Sequence, residues 1–260
     1  LTIIIALLSI PQSPLKNRYS KEVAMELSKC NYTHEIFTEE DIKHLPLPVQ
    51  RYFKSCGFIG KTKMTNCKVL YNKPSMKIDY QQYNFVTEPA RIAYIGSRLY
   101  GIPFEGRDKY QNGKGTMTGV LAKAFTLFDT RGKEMDQSAL VTYLAECLLI
   151  PNAALQNNII WEKDDDYKAK ASMEWNGIKV KGIFTFNDNG EMIRFATDDR
   201  FMDKGNGILE KVRWTCEAGE YIEVEGIKHP SALKAIWNLP DGGVVYFDSK
   251  GITVEYNILK

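Results

Sequence analysis

From about residue 63 onward the chain runs as short stretches in which apolar and polar side chains alternate. "TNCKVLYN", "SMKIDYQQYNFV", "ARIAYIG", "GIPFEGRDKYQ" and "GTMTGVL" make a first series. "IIWEK", "YKAKASMEW", "IKVKGIFTF", "EMIRFATDDRF", "LEKVRWTCEA", "EYIEVEG", "ALKAIWNL", "VVYFDS" and "ITVEYNIL" make a second. A period of two is the pattern of strands with one buried face. Turn signals such as "NGKG", "WNG", "NDNG" and "DGG" separate the stretches at hairpin spacing. Neighbouring strands joined by tight turns pair antiparallel, because parallel pairing needs long crossovers.

Helical patterns precede the alternation and interrupt it once. "SKEVAMELSKC" (20–30) suits a short amphipathic helix, and "FTEEDIKHLPLPVQRYFKSCG" (37–57) reads as two helical pieces. Thr38 caps the first, with Glu39, Glu40 and Asp41 in its opening turn, where carboxylates suit the helix dipole. Pro46 breaks the pattern, Pro48 sits in the first turn of the next helix, and Gly57 ends it. Between the two strand series lies an apolar helix over about 136–150, terminated by Pro151.

The pattern therefore predicts an α+β fold: a large curved antiparallel β-sheet packed on helices, with one apolar helix inserted mid-meander. About a dozen strands would strain a flat sheet, so a half-barrel or open barrel is expected. Residues 16–58 form the helical N-terminal part, and 59–260 the β-rich part of the same single domain. The run "LTIIIALLSI" is ten residues long, eight of them apolar, against about twenty for a membrane-spanning helix. Residues 1–15 are read as the remnant of an N-terminal membrane anchor or signal segment, with an Ile-rich buried strand as the alternative. Lys16, Arg18 and Lys21 follow as a cationic flank. The resulting expectation is a membrane-anchored, extracytoplasmic domain whose orientation stays open.

Charge and composition narrow the classes. Thirty-four basic against 32 acidic residues leave no basic field for nucleic acid. The five cysteines (Cys30, Cys56, Cys67, Cys147, Cys216) show no CxxC pair. They read as free thiols, with Cys56–Cys67 the pair to consider in an oxidising compartment. His34, His44 and His229 are scattered, so no metal site and no cofactor is assigned. "QNGKGTM" lacks phosphate-loop spacing and reads as a hairpin turn.

Several blocks together resemble a bacterial family known only as a domain of unknown function. They are "LPLPVQRYF" (45–53), "DKYQNGKGTM" (108–117), "YLAECLLIPNAAL" (143–155), "IIWE" (159–162) and "FTFNDNGEM" (184–192) with Arg200. "RWTCEAGEYIEVEGIKHP" (213–230) and "AIWNLPDGGVVYF" (235–247) complete the set. The frame departs from the family where a tryptophan is expected in place of Leu148 or Leu149, and where a proline usually precedes Trp214. The resemblance brings no activity. The expected outline is similar to that of outer-membrane lipoprotein carriers, which hold acyl chains beneath an open barrel.

On the mid-chain helix Ser138, Thr142 and Glu146 lie four apart and form one polar seam on an otherwise apolar surface. A buried carboxylate needs a cationic or hydrogen-bonding partner, and Arg51 and Arg200 are the candidates. Trp161, Trp214 and Trp237, with Tyr143 and Tyr110, complete the candidate ligand-binding set. Aromatic strands under a curved sheet are a common form of pocket. No catalytic residue is assigned. Asp198 and Asp199 are adjacent and would point to opposite faces of a strand, and Asp108 stands apart. The leading functional reading is a membrane-tethered domain binding a lipid or other amphiphilic or hydrophobic ligand, with membrane contact through the N-terminal segment. Alternatives are an envelope structural or protein-interaction domain and a hydrolase using Glu146.

Overall fold

A computed structural model describes residues 13–71, 78–205 and 208–259. The apolar run proposed as an anchor lies, through residue 12, outside the described residues. The first helix, α1 (Pro14–Lys29), starts at a proline after Ser13, whose hydroxyl accepts from the Lys16 amide. Next come α2 (Glu39–Ile42) and α3 (Leu47–Ser55). At α2, Thr38 and Asp41 form the reciprocal hydrogen bonds of a capping box.

Six strands follow: β1 (Asn66–Tyr71), β2 (Asp79–Phe85), β3 (Ala90–Leu99), β4 (Ile102–Gln111), β5 (Lys114–Leu121) and β6 (Phe125–Thr130). The chain then enters α4 (Lys133–Ala145) and a short turn of helix, α5 (Pro151–Ala154). Ten strands complete it: β7 (Ile159–Lys163), β8 (Lys168–Trp175), β9 (Ile178–Phe186), β10 (Met192–Thr197), β11 (Phe201–Asp203), β12 (Leu209–Lys211), β13 (Trp214–Val224), β14 (Ile227–Leu239), β15 (Gly242–Lys250) and β16 (Ile252–Tyr256).

These strands form two seven-stranded antiparallel sheets and a small ribbon of β11 and β12, where the alternation had predicted one large curved sheet. The first sheet has the order β16-β1-β2-β3-β4-β5-β6 and the second β15-β14-β13-β10-β9-β8-β7, so neither closes on itself. The division has a physical cause. Strand twist accumulates across a sheet, so fourteen strands in one sheet would curl away from a common core. The α4–α5 connection instead carries the chain from the outer edge β6 to the far edge β7 of the second sheet. Only β16 returns to the first sheet, pairing with β1 through Cys67–Tyr256 to Tyr71–Ile252.

Local sequence sets the hairpins. Asn112 and Gly113 both take positive φ (52° and 73°) between the paired Gln111 and Lys114, so "QNGK" is a two-residue turn. Asn176 and Gly177 do the same between β8 and β9, with φ of 49° and 75°. Pro151 opens α5, and Ile150 before it stands outside helical geometry (φ −125°, ψ 82°), as expected from the restriction a proline places on its predecessor.

The main core lies between the sheets. Leu140, Val141, Leu144, Cys147 and Leu148 of the α4 region pack with Phe184 and Phe195 of the second sheet. Val49, Tyr52 and Phe53 of α3 close one end with Phe37 and Phe58. Close approach of α4 to β5 depends on Gly115: a Cβ there would stand 2.4 Å from the Met135 carbonyl oxygen. Asp136 fixes the same contact by accepting from the Gly115 amide (2.8 Å) and Lys114 Nζ (2.9 Å).

A second core lies between α1 and the first sheet, formed by Tyr19, Val23 and Leu27 with Phe85, Ile92 and Tyr94. Strand alternation divides β3 between the two layers. Ile92 and Tyr94 meet α1, while Arg91 and Ile95 line the space between the sheets. All five cysteines are free, so the Cys56–Cys67 pair is not formed. Both thiols are buried as small apolar groups, and burial pushes the Cys56 thiol up to about 12.

Candidate functional site

Between the two sheets and over the C-terminal turns of α4 is a cavity of about 410 Å³. Its first-sheet wall carries Tyr71, Tyr80, Ile95 and Met117. Opposite stand Trp214, Leu233, Ala235, Tyr246 and Phe247, and α4 with the turn after it contributes Thr142, Ala145, Glu146 and Leu149. Tyr71 and Tyr80 stack at 4.1 Å between ring centroids, and Phe247 meets both edge-on at 5.7 and 6.0 Å. The surface is mostly apolar and aromatic, with a few polar groups at fixed positions. That is the general composition of a small-molecule site.

Three of the polar groups, Arg91, Asp108 and Glu146, belong to one network. Glu146 sits at the C-cap of α4, and its Oε2 accepts from Gln82 Nε2 (2.7 Å), Asn84 Nδ2 (2.9 Å) and Arg91 Nε (3.0 Å). Arg91 Nη1 donates to Asp108 Oδ2 at 2.6 Å, and Nη2 to Gln82 Oε1 at 2.8 Å. Tyr71 also donates to Gln82 Oε1, at 3.1 Å. The Arg91 side chain is only 6% exposed, Glu146 13% and Asp108 23%. Burial opposes the charge on Arg91, but Glu146 and Asp108 outweigh it and hold its pKa well above the ordinary value. A charge so buried is tolerable only because its donors are nearly all engaged.

The arginine partner of Glu146 is therefore Arg91, and neither Arg51 nor Arg200. Arg51 projects from α3 to the periphery, donates to the Asp166 carbonyl and lies 5.4 Å from the centre of the Tyr167 ring. Arg200 reaches the seam one turn earlier. Its Nη1 donates to Thr142 Oγ1 and, at 3.4 Å, to the Ser138 carbonyl, while Ser138 Oγ accepts from the Phe201 amide. The seam is thus occupied along its length, by the 200–201 segment at Ser138 and Thr142 and by β2 and β3 at Glu146.

The remaining expected site residues divide. Trp214 lines the cavity, and its Nε1 donates to the Tyr246 hydroxyl at 3.0 Å. Trp237 stands behind, stacked on Tyr246 at 5.6 Å. Tyr143 is buried and donates to the Phe85 carbonyl (2.8 Å). Tyr110 is fully buried in the core and its hydroxyl has no partner among the described residues. Trp161 packs on Phe184 and donates to the Ala154 carbonyl. None of these last three lines the cavity.

Sequence reasoning missed Arg91, Gln82, Asn84 and the two stacked tyrosines. Two signals were present. "YQQYNF" places Tyr80, Gln82 and Asn84 on one face of β2, a polar stripe without a solvent-facing reason. Arg91 is the single charge in the apolar strand "ARIAYIG", as Glu146 is the single charge in "QSALVTYLAECLLIP" (137–151). Two lone opposite charges in buried elements call for each other.

Chemically the site offers an engaged carboxylate–arginine network and one thiol. Burial pushes the Cys216 thiol up to about 12, so it is protonated and a weak nucleophile at neutral pH. Among the described residues no group of three or more His, Cys, Asp or Glu is arranged to hold a metal ion.

No curated protein matches the sequence. Among solved structures, a LolA superfamily protein from Nitrosomonas europaea superposes with a TM-score of 0.42 at 11% identity, covering 82% of this chain and 94% of that one. A domain described as an outer membrane lipoprotein-sorting protein, from Vibrio parahaemolyticus, gives 0.35 at 11% identity, with 75% and 85% covered. Residues 35–249 match the family model described as a family of unknown function, DUF6544. The blocks that carried the resemblance fall within that span, and the chain belongs to the DUF6544 family.

Proposed function

We propose that this chain is a binding domain for a lipid or other amphiphilic, hydrophobic ligand, held in the cavity between the two sheets and working at the cell envelope. The observation that carries the reading is the cavity itself. Its volume of about 410 Å³ lies within the ~300–1,000 Å³ of ordinary ligand sites. Leu149, Leu233, Phe247 and Met117 give it an apolar interior, and the network around Arg91 gives it fixed polar points. A space of this size lined by apolar groups costs contacts that packing would otherwise supply, so an occupant compensates for them. Binding is favoured over hydrolysis because Glu146 already accepts three donors and Cys216 is a protonated thiol. Tethering to a membrane would fall to residues 1–12. Among the described residues no helix is long and apolar enough to cross one.

The test is uptake of an apolar fluorophore, 1-N-phenylnaphthylamine, by purified protein. Saturable binding at one site per chain, reversed by medium-chain amphiphiles, is the expected result. Absence of saturable uptake, together with no binding of neutral, anionic or cationic amphiphiles by calorimetry, overturns the proposal.

A further inference from the structure

Two arginines line the cavity, and their surroundings differ. Arg91 is paired with Glu146 and Asp108. Arg200 has no carboxylate within ion-pair distance among the described residues. Its guanidinium carbon lies 4.4 Å from the centre of the Trp214 ring and 5.7 Å from that of Trp237. Stacking on indoles stabilises the cation but uses none of its N–H groups. Nη1 is held by Thr142 and the Ser138 carbonyl, so one edge of the plane is fixed against α4. Nε is buried and has no partner among the described residues. A rigid guanidinium with an unused buried donor, its position set from three sides, is a site waiting for an acceptor.

Resting on the reading of the cavity as an amphiphile site, we propose that Arg200 binds the anionic headgroup, a carboxylate or phosphate, of a single-tailed amphiphile whose chain lies along the apolar walls. Charges elsewhere in the cavity agree with this placement. Glu146 and Asp108 are turned onto Arg91, and Asp248 is exposed. Arg200 is the cation left to meet an incoming acid. Its aromatic backing excludes water from one face, which strengthens a charge-assisted hydrogen bond on the open edge. A volume of about 410 Å³, near the lower end of ligand sites, suits one tail better than several.

The experiment compares probes that share a tail: dodecanoate, dodecyl phosphate, dodecanol and dodecyltrimethylammonium, titrated calorimetrically below their micelle concentrations. Wild-type protein should bind the two anions about tenfold more tightly than dodecanol, a difference of about 1.4 kcal/mol. Arg200→Gln should abolish that preference, leaving its affinities for the anions and for dodecanol within about twofold of each other. Preference for dodecanoate alone identifies a carboxylate ligand, and preference for dodecyl phosphate alone a phosphate; either supports the proposal. Equal binding of anion and alcohol by wild type, or a preference that survives Arg200→Gln, overturns the headgroup assignment while the cavity reading stands. Wild type that binds none of the four probes overturns the headgroup assignment, and overturns the cavity reading as well when it also takes up no fluorophore. Should Arg200→Gln fail to fold, the wild-type ranking still decides, because tighter binding of dodecyltrimethylammonium than of dodecanoate contradicts an anion at Arg200.

Discussion

Arg91 spans two carboxylates that come from different parts of the chain, Glu146 at the end of α4 and Asp108 on β4. Each partner was removed from water to reach it, so the group is sensitive to losing one member. Arg91→Met should destabilise the fold by about 3–5 kcal/mol, because it strands two acids where water is scarce. Adding Glu146→Gln to Arg91→Met should recover part of that loss, since a neutral amide can still meet Gln82 and Asn84. Urea denaturation of both variants measures this. A single variant within about 1 kcal/mol of wild type would show that the network contributes little to stability. Glu146 itself was conspicuous in the sequence because an acid among Leu144, Ala145, Cys147 and Leu148 has to be explained. Its partner was signalled only by the lone charge of Arg91 in an apolar strand, because the choice among the arginines depends on which strand lies opposite the helix. That is a matter of long-range packing, on which spacing along the chain is silent.

At the scale of elements, α1 is fastened to the outer face of the first sheet by both apolar and charged contacts. Tyr19, Val23 and Leu27 cover Phe85, Ile92 and Tyr94, and Glu22 receives Arg107 through two hydrogen bonds of 2.7 Å. Burial works against the Glu22 charge, but hydrogen bonds and charge from Arg107, aided by Lys109, hold its carboxyl below the usual range. The sign of the pH effect follows. A carboxyl depressed in the folded state contributes stability that is fully present above the unfolded value of about 4.3 and lost as pH falls through the lower folded value. Thermal melts of wild type should therefore fall through that acid window, and Glu22→Gln should lower stability at neutral pH while flattening this part of the profile. Parallel pH profiles for the two proteins would refute the pairing. The strands and hairpins, in contrast, were legible: "QNGK" and "WNGI" carry the Asn-Gly pair that their turns require, and Pro48 and Thr38 mark helix starts. The extension of α1 back to Pro14 was hidden beside the apolar run, and the division into two sheets was hidden because alternation fixes a strand's face without fixing its neighbours.

Buried core surrounds the cavity, and one substitution in each place can tell a binding space from a packing fault. Ala235 on β14 lines the cavity, whereas Ala153 in α5 is equally small, 1% exposed and surrounded by core. The same enlargement should therefore act oppositely at the two places. Ala153→Leu forces added volume into filled space and should cost about 1–3 kcal/mol. Ala235→Leu puts its new methyl groups into space already open, so the melting temperature should hold or rise while amphiphile affinity falls at least about tenfold. Stability gained at the expense of binding is the usual mark of a site kept open for use. Melting curves and fluorophore titrations on the two variants supply both readouts. Equal destabilisation would mean that the sheets leave no usable space at Ala235. A stabilised Ala235→Leu that still binds normally would place the ligand elsewhere on the molecule. The expected pattern, firmness at Ala153 and accommodation at Ala235, would show that the two sheets are held apart by the α4 core at a distance that suits an occupant rather than each other.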